Sequence, residues 1–213
     1  RAVFVSDFHL GAAACKADAI QHFLESLDCE YLYLVGDIID LWVSVKSGKW
    51  RQKHTNVIST VLAKSEVGCK VFYTPGNHDA LLRKINGAVL GNVLVDHSVV
   101  HTTAQGQRLL VVHGDLFDRS VTSCKPLAWS ATWVYEFITV FLDWRGRFRY
   151  KTSEHPKHTA GGIKARFKRF IQQFTSFEDQ ITHDTREQGL DGVVCGHIHK
   201  PKMETQESGT LYI

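Results

Sequence analysis

Five short apolar runs in this chain end in side chains that commonly bind metal ions. The runs are rich in Val, Leu, Tyr and Phe, have the length of β-strands, and break at or near a glycine or an acidic residue. The candidate ligands that follow them are Asp7, His9, Asp37, Asn77, His113, His197 and His199, with His78 beside Asn77. Because residues just past the ends of adjacent strands can converge on one point, these clusters predict a single metal site.

The types of these side chains indicate which ions the site would take. Mixed oxygen and nitrogen ligands suit Mn, Fe, Zn or Co better than Ca, which prefers oxygen alone. Two divalent cations held close together need a shared anionic ligand to offset their repulsion, and Asp37 is the obvious candidate. We expect two ions, and the ligand types leave these four metals open.

Such a site predicts hydrolysis at phosphorus. Paired cations lower the pKa of bound water and stabilise both the attacking and the leaving oxygen, so no serine or cysteine nucleophile is needed. His78 is well placed to protonate the leaving oxygen, and Asp79 to orient His78. Asp40 and Asp115 are close to the site in sequence; each either supports it or serves as a turn or capping residue.

The remaining histidines are expected to be hydrogen-bonded structural residues. His54 and His158 are the two exceptions, because polar loops near a cleft can touch substrate. The full set is His22, His54, His97, His101, His155, His158 and His183.

Residues 1–118 alternate strand and helix patterns, which predicts crossovers onto a largely parallel sheet. Helical spacing is shown by Ile20, Phe23 and Leu24, and again by Val57, Ile58, Val61 and Leu62 before a stop at Gly68. Ligands of such sheets gather at the carboxyl ends of the strands. We expect a core of residues 1–118 and 190–213, in the α/β (α+β) class.

Residues 119–189 break this alternation and predict a helical insertion or cap. Large aromatics recur four residues apart, starting with Trp129 and Trp133, and a second amphipathic segment carries a basic flank. One interpretation is an ordinary helical hairpin that packs its aromatic face on the core. The other is a cap that receives an amphipathic substrate, with Asp115, His54, His158, Trp129 and Trp133 as substrate-binding residues.

Composition excludes several other classes of protein. Of 213 residues, 44% are hydrophobic and 22% charged, and the net charge of +3 is too small to indicate nucleic-acid binding. Five cysteines without paired spacing argue against a disulfide framework. No apolar stretch reaches the ~20 residues of a membrane span. We expect a cytoplasmic protein that makes peripheral contact with an anionic inner membrane. We also expect the native chain to extend beyond this sequence at both ends.

Five motifs together resemble those of the calcineurin-like metallophosphoesterase family: SDFHLG, GDIIDLW, GNHD, VVHGD and GHIH, in the family's order. The resemblance implies a four-layer fold in which helices flank a β-sandwich. It also implies two ion sites that share Asp37. Asp7, His9 and His199 would complete one site, and Asn77, His113 and His197 the other. His78 would be the catalytic histidine, paired with Asp79.

Within the family, DFHLG, DLW and HGDLFD look most like the UDP-2,3-diacylglucosamine diphosphatases of lipid A synthesis. Those enzymes cleave a pyrophosphate bond in a lipid-linked nucleotide, usually with manganese. Their third motif reads GNRD, whereas that of this chain reads GNHD. The resemblance implies the same substrate or a similar lipid-linked nucleotide. It also implies manganese as the ion, with iron or zinc as alternatives. The alternatives are a broad-specificity phosphodiesterase, a phosphoprotein phosphatase, or a metal-bound scaffold without activity.

Overall fold

A computed structural model describes residues 1–48, 50–117 and 177–213. Arg1–Asp115 and Ile181–Ile213 form one compact unit, and Leu116–Gln180 forms a second. Most of the predicted insertion, including Trp129, Trp133 and His158, lies outside the described residues. The boundaries 1–118, 119–189 and 190–213 therefore stay a prediction.

Strands and helices alternate along the first unit. In chain order they are β1 Ala2–Val5, α1 Ala17–Ser26, β2 Tyr31–Val35, α2 Leu41–Ser47, α3 Gln52–Glu66, β3 Lys70–Thr74, β4 Val89–Leu90, β5 Val93–Val95, β6 Val99–Thr102, β7 Arg108–Val111, β8 Gly192–Val194, β9 Glu204–Thr205 and β10 Leu211–Tyr212. Short 3₁₀ helices cover Ala80–Ile85 and Asp115–Phe117. Residues 177–187 are helical.

The strands form two mixed sheets. The first has the order β1-β2-β3-β5-β4, in which only β4 runs antiparallel to its neighbour. The second has the order β6-β7-β8-β10-β9, with β7, β8 and β10 parallel and the two edge strands antiparallel. The predicted β-sandwich flanked by helices is confirmed.

Strand β2 shows why both faces of the first sheet are buried. Its side chains alternate, so Leu32 and Leu34 pack in the cluster with the helices, while Tyr33 and Val35 pack against the second sheet. A fully buried Leu or Val contributes about 1.5–3 kcal/mol. Burial on both faces therefore places β2, and the turn that follows it, at the centre of the fold.

A stack of aromatic rings on the first sheet contacts a histidine of the second sheet. Phe4 of β1 lies 4.7 Å from Tyr33 of β2, which lies 5.0 Å from Phe72 of β3, measured between ring centroids. His101 of β6 meets the edge of this stack, and its Nδ1 is 2.9 Å from the Tyr33 hydroxyl. The contact of His101 with this stack therefore links β6 of the second sheet to β2 of the first.

Helices α1 and α3 cover the outer face of the first sheet, largely as their spacing predicts. Leu24, Val57 and Val61 are fully or almost fully buried there. Phe23 and Leu62 belong to the same helical patterns, but their side chains are 44% and 38% exposed. Each is one residue from a buried neighbour, and about 100° of rotation per residue carries it off the buried stripe.

His54 of α3 is buried rather than open to substrate, which corrects the expectation for this residue. Its side chain is 1% exposed, both ring nitrogens lack a hydrogen-bond partner, and the Trp50 ring covers its face at 5.2 Å between centroids. Burial, and then the positive charges of Lys53 and Arg51, lower the pKa of His54, against a weaker opposing effect of Asp18.

His54→Leu should raise the melting temperature increasingly as the pH falls below about 6.5, the ordinary pKa of histidine. Because the folded-state pKa is lowered, the unfolded chain takes up a proton that the folded chain resists, and stability is lost on acidification. Thermal unfolding of both proteins at pH 5, 6 and 8 measures the difference. His97→Leu, at an exposed position, is the control; a gain that does not vary with pH would contradict this explanation.

Candidate metal centre

The predicted ligands follow five strands and meet at the carboxyl ends of both sheets. Asp7 and His9 follow β1, Asp37 follows β2, and Asn77 follows β3. His113 follows β7, while His197 and His199 follow β8.

Backbone hydrogen bonds join the turns that carry these residues. The N–H groups of Asp7 and His9 donate to the carbonyls of Gly36 and Asp37, at 3.0 and 2.9 Å. In the second sheet, Gly196 N–H donates to the His113 carbonyl at 3.1 Å. Across the two sheets, His197 N–H donates to Oδ2 of Asp7 at 3.2 Å. Neighbouring turns are therefore held together before any ion binds.

The backbone is strained at these turns. Within the described residues, the non-glycine residues with positive φ are Asp7, His9, Asp37, His197 and His199, with values between 48° and 72°. Each such conformation costs on the order of 1–3 kcal/mol and persists only where the surrounding structure enforces it. All five are predicted ligands, so the strain is concentrated where side chains must turn toward one point.

Three glycines allow the ligand side chains to pack against the backbone. A Cβ at Gly36 would collide with the His113 ring, and one at Gly76 would collide with both the Asp37 carboxylate and the His113 ring. A Cβ at Gly196 would lie 2.6 Å from Oδ2 of Asp7. Any larger residue at these positions would therefore displace a predicted ligand.

Three overlapping groups of side chains offer ligand atoms that lie within 4.8 Å of one another. They are Asp7, His9 and His199; His9, Asp37 and His78; and Asp37, His113 and His197. Asp37 and His9 each belong to two groups. The structure thus brings together six of the seven side chains that the sequence proposed for two neighbouring ions. The seventh, Asn77, adjoins His78 in the chain.

Two of these atoms suit a cation because no hydrogen bond satisfies them. Oδ1 of Asn77 and Nε2 of His113 are buried and make no hydrogen bond in the described structure. Nδ1 of His113 lies 3.0 Å from the Val35 carbonyl, so Nδ1 carries a proton and Nε2 is the nitrogen that faces Asp37. Unpaired buried acceptors are costly, and divalent ions would satisfy them.

Opposite charges on Asp37 and His113 stabilise each other within the site. Burial alone would raise the pKa of Asp37 and lower that of His113. The attraction between these groups, 3.4 Å apart, reverses both effects. The pKa of Asp37 falls below its ordinary range and that of His113 rises to about 9. The carboxylate is therefore kept ionised, as a metal ligand must be, and a cation bound here would replace the proton on Nε2 of His113.

His78 pairs with Asp40, which corrects the expected pairing with Asp79. Its Nδ1 lies 3.0 Å from Oδ2 of Asp40, and its Nε2 lies 3.9 Å from Oδ2 of Asp37. Burial opposes protonation of His78, but the bond with Asp40 and the charge of Asp37 raise its pKa overall. Asp40 also caps α2 by accepting from Val43 N–H at 2.9 Å, so its two expected roles are combined.

The Asp79 carboxylate instead organises the backbone. It is fully buried, and Oδ2 accepts from the N–H groups of Ile38 and Ile39 and from the Tyr73 hydroxyl, at 2.9, 3.3 and 2.5 Å. Oδ1 accepts from Gly76 N–H at 2.5 Å. Sequence reasoning missed Tyr73, because a tyrosine in an apolar strand reads simply as core.

Asp115 is likewise paired rather than open to substrate. Its Oδ1 accepts from Nη2 of Arg83 at 2.6 Å, and the same nitrogen donates to the Pro75 carbonyl at 3.1 Å. Asp115 is 3% exposed, which departs from the substrate contact expected of it. The pair connects the turn that carries Asn77 with the turn that carries His113.

The sequence profile described as calcineurin-like phosphoesterase matches residues 1–201. The chain therefore belongs to this family and is a metal-dependent phosphoester hydrolase.

Its relatives include two UDP-2,3-diacylglucosamine hydrolases. That of Aliivibrio fischeri is 26% identical over 222 residues, covering 95% of this chain and 83% of the relative. That of Xanthomonas campestris pv. campestris is 25% identical over 218 residues, covering 97% and 85%. A solved Streptococcus pneumoniae protein, described as a predicted phosphoesterase, has a TM-score of 0.41 and 11% identity over 99% of this chain and 68% of that one.

In residues 1–48, 50–117 and 177–213, no helix has both the length and the apolar character required to cross a membrane.

Gly76→Ala should lower the amount of metal bound per chain, because the added methyl group would displace Asp37 and His113. After loading with Mn²⁺ and gel filtration, mass spectrometry of the metal content measures the loss. Gly106→Ala is the control: nothing lies within 4 Å of a Cβ there, and its φ of +84° makes the variant a test of backbone strain away from the ligands. Wild-type metal content in Gly76→Ala would show that the close packing at Gly76 does not matter.

Proposed function

We propose that this phosphoesterase hydrolyses the pyrophosphate bond of UDP-2,3-diacylglucosamine or a similar lipid-linked nucleotide. The proposal is supported by relatives named for that substrate, which align with nearly the whole chain. The overlapping ligand groups centred on Asp37 supply a site suited to phosphorus chemistry. We assign the lipid A pathway on the same basis.

Two divalent cations, with manganese as the proposed species, would be held at this site. Asp7, His9, Asp37 and His199 would hold one, and Asp37, Asn77, His113 and His197 the other. Bound cations act as Lewis acids and make water nucleophilic near neutral pH. The negative charge of Asp37, shared between the two groups, would offset the repulsion between the cations.

His78 would donate a proton to the leaving oxygen. Its Nε2 faces the ligand cluster near Asp37, while its Nδ1 is held by Asp40. A carboxylate on one ring nitrogen fixes the orientation of the ring and favours its protonated form. An arginine at this position would hold a charge there but would not transfer a proton, since it stays protonated in proteins.

His78→Ala should retain metal but lose about 10²–10⁴-fold in kcat, the range attributed to acid–base groups. Asp40→Asn should show a smaller loss, because asparagine still caps α2 while the charge that supports the His78 proton is gone. Steady-state kinetics with metal analysis of each variant measure both effects. Normal turnover in His78→Ala would remove it from the reaction.

Manganese-loaded protein should release UMP and the acylated sugar phosphate from UDP-2,3-diacylglucosamine, as followed by chromatography and ³¹P NMR. The same preparation should act poorly on phosphopeptides, and Asp37→Ala is the blank. Cleavage of bis-p-nitrophenyl phosphate without cleavage of the lipid nucleotide would overturn the substrate and favour a broad-specificity phosphodiesterase. Efficient phosphopeptide hydrolysis would favour a phosphoprotein phosphatase.

A further inference from the structure

Trp42 is a large, exposed side chain tied to the metal centre. It is the second residue of α2, and its side chain is 56% exposed. Its indole N–H donates to the backbone carbonyl of Asn77 at 3.1 Å. The ring edge is therefore attached to the turn that carries a proposed ligand, while much of the ring surface is open.

The attachment has a second point nearby, which limits how far the ring can move. Asp40, two residues before Trp42, holds Nδ1 of His78 at 3.0 Å. The start of α2 and the Asn77–His78 turn are thus joined by two hydrogen bonds. A ring fixed in this way loses little conformational freedom when a second planar group stacks on it.

Trp50 shows what a tryptophan with a purely structural role looks like in this chain. Its N–H donates to Oγ1 of Thr55, five residues away, and its ring packs edge to face on the buried His54. Within the described residues, no aromatic ring or cation stacks on Trp42. The N–H of Trp42 is used by the Asn77 carbonyl, and the ring faces are left open to a ligand.

We propose that Trp42 is the stacking surface for the base of the nucleotide substrate. The inference rests on the proposed function, because a nucleoside diphosphate bound through its phosphates at the metal centre would carry a planar base within reach of the rim. Stacking of a base on an aromatic side chain is worth about 1–3 kcal/mol and needs no base-specific hydrogen bonds. Trp42 would thus favour substrates with a base over other phosphate esters.

The test compares two ligands that share a phosphate and a ribose but differ in the base. Isothermal titration of Mn²⁺-loaded protein with UMP and with ribose 5-phosphate should show that the wild type prefers UMP. Trp42→Ala should weaken UMP binding about ten-fold, within the range of base stacking, and leave ribose 5-phosphate unchanged. Trp42→Phe, which keeps a ring but loses the N–H, should retain most of the preference.

Val45→Ala is the matched control. Val45 lies one turn along α2 and is 78% exposed, so this variant removes apolar surface from the same helix, and its UMP preference should stay at the wild-type level.

Three results would overturn the inference. The first is a wild type that binds UMP no more tightly than ribose 5-phosphate, and the second is a Trp42→Ala variant that keeps the preference for UMP. The third is a Trp42→Ala variant that loses affinity for both ligands equally and also loses bound metal. The last would show that Trp42 only holds the Asn77 turn. If UDP-2,3-diacylglucosamine is not cleaved but Trp42→Ala still abolishes the preference for UMP, the substrate proposal fails and the stacking surface stands.

Discussion

The hydrogen bonds of the buried Asp79 carboxylate are the interaction on which the centre of this structure depends. Asp79 accepts from the backbone of Ile38 and Ile39 in one turn, from Gly76 in its own turn, and from the Tyr73 hydroxyl. These bonds connect the ends of β2 and β3, so the position of Asp37 is coupled to that of Asn77. An ionised carboxylate is the side chain suited to this task, since it accepts several hydrogen bonds at once and needs no donor of its own.

The site carries costs that the rest of the fold must offset. Five ligand residues have positive φ, and three glycines leave the ligands in contact with the backbone. The offset comes from strands buried on both faces, with helices on one side and the second sheet on the other. A core of this density resists the small relaxations that would relieve the strain, which keeps the ligands facing one another.

Much of the fold follows from sequence patterns, and the errors have local causes. The strands before the ligands are recognisable because each apolar run is short and ends in a glycine or an acidic residue. Helix α2 was not predicted, since seven residues are too few to establish a periodic pattern. The exposure of Phe23 and Leu62 could not be read from the pattern, because apolar character does not show how far a helix is rotated about its axis.

The partner of His78 shows where sequence reasoning stops. Asp79 is adjacent in the chain, but its carboxylate is occupied by backbone donors, and Asp40 reaches His78 from a different strand end. Asp115 and His54 differ from expectation for a related reason, because Arg83 and Trp50 cover them. Burial and pairing depend on contacts between distant segments, and no spacing rule within one segment specifies them.

The sequence by itself determined the kind of site and its place in the fold, because ligand types and strand ends are local properties. It determined that oxygen and nitrogen donors follow five strands and that His78 stands beside Asn77. Only the tertiary structure decided which donors are neighbours, which carboxylate supports His78, and that Trp42 lies tied to the Asn77 turn. The contacts of Asp40 and Trp42 with the Asn77–His78 turn join residues more than thirty positions apart in the chain. They arise because the parallel strands β2 and β3 end side by side in the first sheet.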